Sequence, residues 1–324
     1  MTATRRLRTI VRWIGKLLFG LVILFFGLVA IGVIRESITR ANYLTEFPAP
    51  GKMVTINSHA IHLNCIGSGS PTVVFESDLD QYGSLIWLHV QEEIGKSTRA
   101  CSYDRAGILW SEPGPLPRDG ETIATELKTV LETAGEQGPY LLVGHAMGGA
   151  YIRIFAGQYP DDIYGMVLLE SSHPDMLTRL EGSLDSEIPD NTIRPLILLL
   201  SHLGSPGRYK SNPYHLPSEI NDPVQAFLPE SSMAWFDETV ESATSLAQAG
   251  QYDYLGDFPL IVIASARPSY IENGQELHEA WLGLQEELLL LSDNSVMIAE
   301  EVGHYPQIQS PNLVIGAIQD ILEE

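Results

Sequence analysis

Residues Leu141–Ala150 read LLVGHAMGGA. An apolar run ends in Gly-His-Ala-Met-Gly-Gly and a helical pattern follows, so strand, turn and helix meet within a few residues. Gly144 and Gly148 lie two positions either side of Ala146. That spacing suits a strained turn whose neighbours must lack side chains, followed by a helix N-terminus that aims free amides at the turn. A hydroxyl on residue 146 would make this Gly-x-Ser-x-Gly, a frame that presents a nucleophile. Alanine has neither lone pair nor proton to offer. A glycine pair after a strand also serves close packing alone, so the surrounding chain decides.

Outward from this turn, short apolar runs alternate with helical patterns. Lys52–Ile56 and Ile61–Ile66 are expected as strands turning at Asn57-Ser58. Thr72–Glu76, Arg99–Tyr103, Tyr140–Val143, Met166–Leu169, Leu260–Ala264 and Ser295–Ala299 are expected as further strands. Between them, Leu85–Ile94, Glu121–Glu132 with Asp119 as cap, Gly149–Gln158, Gln275–Leu291 and Pro311–Glu323 have helical spacing. Such alternation predicts an α/β fold, a mostly parallel central sheet with helices on both faces. The stretch 171–257 differs. It is rich in Pro, Ser and Asn, with helical pieces at Ile193–Leu203 and Met233–Ala249. It is too long for a structureless loop and is expected as an inserted cap, leaving 52–170 and 258–324 as the core.

Charge is unevenly spread over the 324 residues. Residues 1–40 hold seven of the 19 Lys and Arg and one acid, Glu36. The remainder is strongly acidic and shows no basic patch, which excludes nucleic acid and anionic headgroups as partners of that part. Leu17–Ile34 is an uncharged run of 18 residues. At about 1.5 Å per residue it nearly spans a hydrocarbon core of ~30 Å. Arg5, Arg6, Arg8, Arg12 and Lys16 precede it, and Arg35 and Arg40 follow. That bias predicts one transmembrane helix with a cytoplasmic N-terminus and the rest outside, in place of a cleaved signal peptide. Glu36–Ala49 reads as a juxtamembrane linker ending in Pro48 and Pro50, and residues 41–51 are expected as the linker between anchor and core. Cys65 and Cys101, both in expected strands, are either a pair in an oxidising compartment or two buried thiols.

Taken together, Asp104–Ser111 (DRAGILWS), residues 138–160 (GPYLLVGHAMGGAYIRIFAGQYP), 166–175 (MVLLESSHPD) and 302–314 (VGHYPQIQSPNLV) resemble the alpha/beta-hydrolase superfamily, in its esterase- and lipase-like branch with a helical cap. The resemblance covers roughly residues 52–322 and leaves the anchor outside. It implies a Ser–acid–His triad. The serine position falls on Ala146 and the histidine on His304. The acid falls on Glu170, at the end of the strand before the cap, with Asp175 as the other candidate. The usual alternative place, after the cap, reads IVIASARPSY and has no carboxylate. The oxyanion hole falls on the amides of Met147 and Leu79. Two positions depart from the family: Asp78, in FESDLDQ, and Leu109 stand where glycine is usual. A carboxylate aimed at a developing oxyanion opposes catalysis. One turned to solvent or into the cap leaves only backbone facing the substrate.

The resemblance implies hydrolysis of a small acyl substrate, a carboxylic ester or a related lactone or amide, and with Ala146 in the serine position the chain is expected to be inactive or to trap substrate. Three readings of Ala146 stay open: a serine exchanged to trap substrate, a natural ligand-binding pseudoenzyme, or another nucleophile such as Ser171 or Ser172 or a water activated by His304. Leu196–Leu200, Phe227, Met233, Trp235 and Phe236 are apolar residues of the cap, and together with an anchor they suggest lipid-like esters. No metal-binding or phosphate-binding motif is present, so no cofactor is expected.

Overall fold

The computed structural model describes residues 3–180, 188–203, 212, 216–266 and 275–324. Within the described residues an eight-stranded sheet runs in the order β1-β2-β4-β3-β5-β6-β7-β8. The strands are β1 (Lys52–Ile56), β2 (His59–Ile66), β3 (Thr72–Glu76), β4 (Ala100–Tyr103), β5 (Tyr140–His145), β6 (Ile163–Leu169), β7 (Leu260–Ser265) and β8 (Ser295–Glu300). β2 runs antiparallel to β1 and β4, and the other pairings are parallel. The central strands are buried along their length, as continuous Val, Ile and Leu runs require in a sheet covered on both faces.

Alternate residues feed two cores. Val74, Leu142, Leu168 and Val262 pack under α3 (Gly120–Ala134) and α4 (Met147–Gln158). Val73, Phe75, Val143, Val167 and Ile263 pack on the opposite face, under α2 (Leu88–Ile94) and α11 (Pro311–Glu323). Asp119 caps α3 as expected, its side chain accepting from Thr122 N at 3.0 Å. Cys65 and Cys101 face each other across β2 and β4 and form a disulfide.

Between β6 and β7 lie α5 (Met176–Arg179), α6 (Arg194–His202), α7 (Ser218–Val240) and α8 (Ser242–Ala249), and the segment contains no strand among its described residues. The helix expected over Met233–Ala249 is divided at Glu241. α8 then packs behind α3 and α4, where Leu246 and Ala249 join the core, so the end of the expected cap belongs to the body. The helix expected over Leu85–Ile94 begins with a tighter turn at Gly83–Trp87. Likewise α9 (Gln275–Glu287) ends in such a turn at Leu288–Leu291. Residues 267–274, which include the end of the ARPSY stretch, lie outside the described residues.

The N-terminal segment is a single helix, α1 (Ala3–Glu46), whose middle carries the uncharged run Leu17–Ile34. It is long and apolar enough to cross a membrane. The expected linker is therefore helical up to Glu46. Nothing between Glu36 and Phe47 breaks a helix, whereas Pro48 and Pro50 do. The end of α1 is also held by the body: Trp110 Nε1 donates to Phe47 O at 2.8 Å, and Arg40 pairs with Glu230 of α7 at 3.4 Å.

Candidate active site

β5 ends at His145 and α4 starts at Met147, leaving Ala146 between them at φ 48°, ψ −117°. This is a left-handed, costly conformation for a residue with a Cβ. Three bonds hold it: Ala146 N donates to Leu169 O, and Gly149 N and Ser172 N both donate to Ala146 O, each at 3.0 Å. Glycine is required at 148 because a Cβ there would lie 2.5 Å from the carbonyl oxygens of Glu76 and Ser77. The end of β3 thus rests directly on the start of α4, and the loop after β3 meets the elbow.

That loop carries the main departure from expectation. Asp78 does not turn to solvent or into the cap. Its Oδ1 accepts from Leu79 N at 2.6 Å and from Met147 N at 3.1 Å. These are the two amides expected to form the oxyanion hole, so they converge on one point, and that point is filled by a carboxylate. The other oxygen, Oδ2, lies 3.5 Å from His304 Nε2. Burial opposes ionisation of Asp78, but the bond to His304 and the nearby imidazoles outweigh it and hold the carboxyl well below its usual range. For His304, burial works against the proton while Asp78 and the charge of Glu170 favour it, and the net shift is upward. Asp78 and His304 therefore form an ion pair. Their side chains are 14% and 28% exposed, so solvent reaches the pair.

Neighbouring Asp80 moves the other way. Burial, then the charge of Asp78, raise it to about 8. Two close carboxyls thus separate into one ionised and one protonated at neutral pH.

Glu170 follows β6 at φ 46°, buried, with its own amide bonded to Ile263 O at 2.8 Å. Its carboxylate accepts from Ser265 N at the end of β7. Asp175, the other candidate acid, is exposed and sits with His173 and Glu287 in a separate cluster. Ser171 and Ser172 are buried beneath the elbow. The structure brings Ala146, Met147, Leu79, Glu170 and His304 to one place and leaves Asp175 outside it.

Two braces of the site, one built on His145 and one on Arg105, were not foreseen from sequence. His145 is buried, and desolvation lowers it to about 4, so it is a neutral imidazole. Its Nε2 donates to His304 O at 2.6 Å, and its Nδ1 accepts from Gln307 at 3.2 Å. It braces the loop that carries His304. The only sequence signal was its place inside the elbow motif. Arg105 holds the opposite wall. It donates to Ser77 O at 2.8 Å, Asp78 O at 2.6 Å and Glu76 Oε1 at 2.7 Å, and pairs with Glu238 of α7 at 2.9 Å. The cap is thereby wired to the Asp78 loop, and Trp235 adds a bond from Nε1 to Leu79 O at 3.2 Å. Asp78, His145 and His304 place ligand-type atoms within 4.8 Å of one another. Both nitrogens of His145 are already engaged, so the trio is a hydrogen-bonded cluster in its present form.

The order of these parts along the sheet defines the class. The family description "alpha/beta hydrolase fold" matches residues 77–190. Among solved structures, an esterase from Thermogutta terrifontis is similar, with a TM-score of 0.62 and 17% identity over 84% of this chain and 97% of that one. The chain is an alpha/beta-hydrolase-fold protein. Among its relatives, the uncharacterized protein YqjL of Bacillus subtilis is 26% identical over 83% of this chain and 91% of its own length. An uncharacterized protein of Schizosaccharomyces pombe and an uncharacterized vacuolar membrane protein of Saccharomyces cerevisiae are each 27% identical over 38% of this chain. The chain spans only 28% and 22% of their lengths.

Proposed function

We propose that the chain is a membrane-anchored member of the esterase-like, capped branch whose serine-type chemistry is closed in its present form. His304, oriented by Glu170, and the amides of Leu79 and Met147 are the machinery for attack on a carboxylic ester or a related lactone or amide. With alanine at 146 there is no nucleophile, and acyl transfer through that residue does not run. One observation carries the reading: Asp78 Oδ1 accepts both amides of the hole, at 2.6 and 3.1 Å. An ester oxyanion has no place to sit while that carboxylate is there.

The same observation favours a natural nucleophile-less site over a serine exchanged in an otherwise intact one. The missing hydroxyl and the added carboxylate lie on facing walls and complement each other. The apolar run of α1, the basic residues before it and the disulfide support an anchor with a cytoplasmic N-terminus and the body outside.

The test compares Ala146→Ser with Ala146→Ser/Asp78→Gly, using a fluorophosphonate probe and nitrophenyl esters of increasing chain length. The double variant is expected to label and hydrolyse, and the single variant to stay silent. Labelling of the single variant at full rate would show that Asp78 does not close the hole. A folded double variant that neither labels nor hydrolyses would remove the ester reading.

A further inference from the structure

A cavity of about 320 Å³ lies apart from the site, on another flank of the cap helix α7. Trp235 and Glu238 of α7 reach Leu79 and Arg105 at the site, whereas Met233, Ala234 and Asp237 of the same helix line the cavity. Its other walls come from α1, α6 and the stretch 106–118. Its volume is that of a small-molecule pocket.

The depth of the cavity relative to a bilayer follows from α1. The uncharged run ends at Ile34. Val33 lines the cavity, and Glu36, Ser37 and Arg40 continue along it. At about 1.5 Å per residue, these last three stand about 3–9 Å past the end of the run, at the level of lipid headgroups. The cap reaches deeper. A Cβ on Gly32 would lie 2.4 Å from the side chain of Leu203, next after α6, so the cap touches α1 inside the apolar run. Leu196 and Leu198 of α6 are exposed, apolar side chains that lipid tails can cover.

The lining carries both signs: Arg40, Arg118 and Arg194 with Glu36, Glu230 and Asp237. Arg194 is engaged by Asp237 at 2.6 and 2.8 Å, and Arg40 stands 3.4 Å from Glu230. Arg118 differs. Its side chain is only 2% exposed and its Nη1 donates to Glu126 at 2.8 Å, but its Nε and Nη2 have no partner among the described residues. These two N–H groups form one edge of the guanidinium, a parallel fork that fits a phosphate. Open donors on a buried cation are costly, so the fork calls for an acceptor. Glu36, buried and the one acid of the first 40 residues, supplies the opposite sign.

We propose that this cavity holds the phosphoethanolamine headgroup of a membrane lipid, with its phosphate on Arg118 and its ammonium on Glu36 and Glu230. The proposal rests on the anchored reading given above. A headgroup with a phosphate alone would meet three carboxylates, whereas a zwitterion satisfies both signs. A choline headgroup donates no hydrogen bond and is held by aromatic rings, and no Phe, Tyr or Trp is among the described residues lining the cavity. A primary ammonium has three donors for carboxylates. The lipid is a bound ligand here, since none of the groups of the elbow or the hole lines the cavity. Ala106 and Asp237 adjoin Arg105 and Glu238 in sequence, which places the lipid behind the pair that holds the Asp78 loop.

The test uses the full chain in detergent micelles. The probes are dioleoyl phosphatidylethanolamine, the choline and glycerol lipids with the same chains, and soluble phosphoethanolamine. Native mass spectrometry counts the bound lipid, and thermal melts report its effect. The expected result is retention of the ethanolamine lipid over the choline lipid by about tenfold or more. The soluble compound is expected to raise the melting temperature less than the lipid does. Glu36→Gln should abolish the preference between headgroups, and Arg118→Met should lose the bound lipid. Equal retention of the ethanolamine and choline lipids would overturn the proposal. Stronger retention of the glycerol lipid would overturn it too, in favour of a plain anion site. An equal shift from soluble phosphoethanolamine would overturn the lipid as its source. If Arg118→Met does not fold, Glu36→Gln and the lipid comparison decide. Alkaline carbonate washing of vesicles that carry the chain separates this proposal from the anchored reading. A chain that stays with the vesicles yet shows no headgroup preference loses only the headgroup assignment. A chain that the wash releases loses its anchor as well.

Discussion

The two walls of the site are loaded in opposite ways. The elbow wall, β5 to α4, holds Ala146 at φ 48° with no reactive side chain to present. The facing wall, the loop after β3, carries Asp78, which fills the point where the amides of both walls converge. The strained turn is maintained by Leu169 O, by Ser172 N and by the close approach of β3 at Gly148. None of these depends on what residue 146 carries. Backbone strain at a site and the chemistry of its side chain are therefore separable, and one persists without the other.

The comparison is broken most severely by unpinning the loaded wall. Arg105→Met leaves Glu238 and Glu76 buried without their cation. The expected cost is about 3–5 kcal/mol, read as a lower urea midpoint. An unchanged midpoint would mean the loop is held by other contacts. Next comes the exchange of the two walls. Adding Asp78→Gly to Ala146→Ser should raise ester hydrolysis by about 10²–10³-fold, the usual worth of an oxyanion donor. Equal rates in the two variants would return Asp78 to a bystander.

Strand β4, which leads into Arg105, is tied to β2 by the Cys65–Cys101 disulfide. Cys65→Ser/Cys101→Ala should lose about 2–4 kcal/mol, and a reducing agent should lower the melting temperature of the parent but not of this variant. The smallest effect sharpens the charge on the loaded wall. Asp78 is held below its unfolded value, so its contribution is present above about pH 4 and fades as pH falls through the lower folded value. His304 is held above its unfolded value, so its contribution is full below about pH 6.5 and fades as pH rises through the raised folded value. The stability lost in Asp78→Asn should therefore peak between about pH 4 and 6.5, at about 1 kcal/mol. Thermal melts of both proteins across pH 3–9 check this, and a pH-independent difference would deny the ion pair.

Much of the core was legible because it is local. The LLVGHAMGGA stretch specified strand, turn and helix within its own length, and alternating apolar runs placed the parallel strands. Glu170 and His304 were singled out through the family resemblance, which expects an acid after β6 and a histidine after β8, and not through the periodicity of those strands. Asp78 was visible as a departure from glycine, but not its direction. That direction depends on Met147, on Arg105 and, through Arg105, on Glu238, which lie far away along the chain. The brace from His145 to Gln307 was hidden for the same reason, since a histidine beside the elbow shows no partner until α10 (Pro306–Gln309) is folded against it. The helical course of 36–46 was missed by weighting the two prolines as marks of a linker rather than as the stop of a helix.

In the anchored form proposed above, the unbroken course of α1 has a mechanical consequence. From Ile34 to Glu46 the helix rises about 18 Å. Over that distance it is clamped to α7 by Arg40 and to the body by Phe47. A flexible tether would let the domain tumble over the bilayer. This stalk works as a rigid post that fixes both the height of the site above the lipid and the side from which molecules arrive.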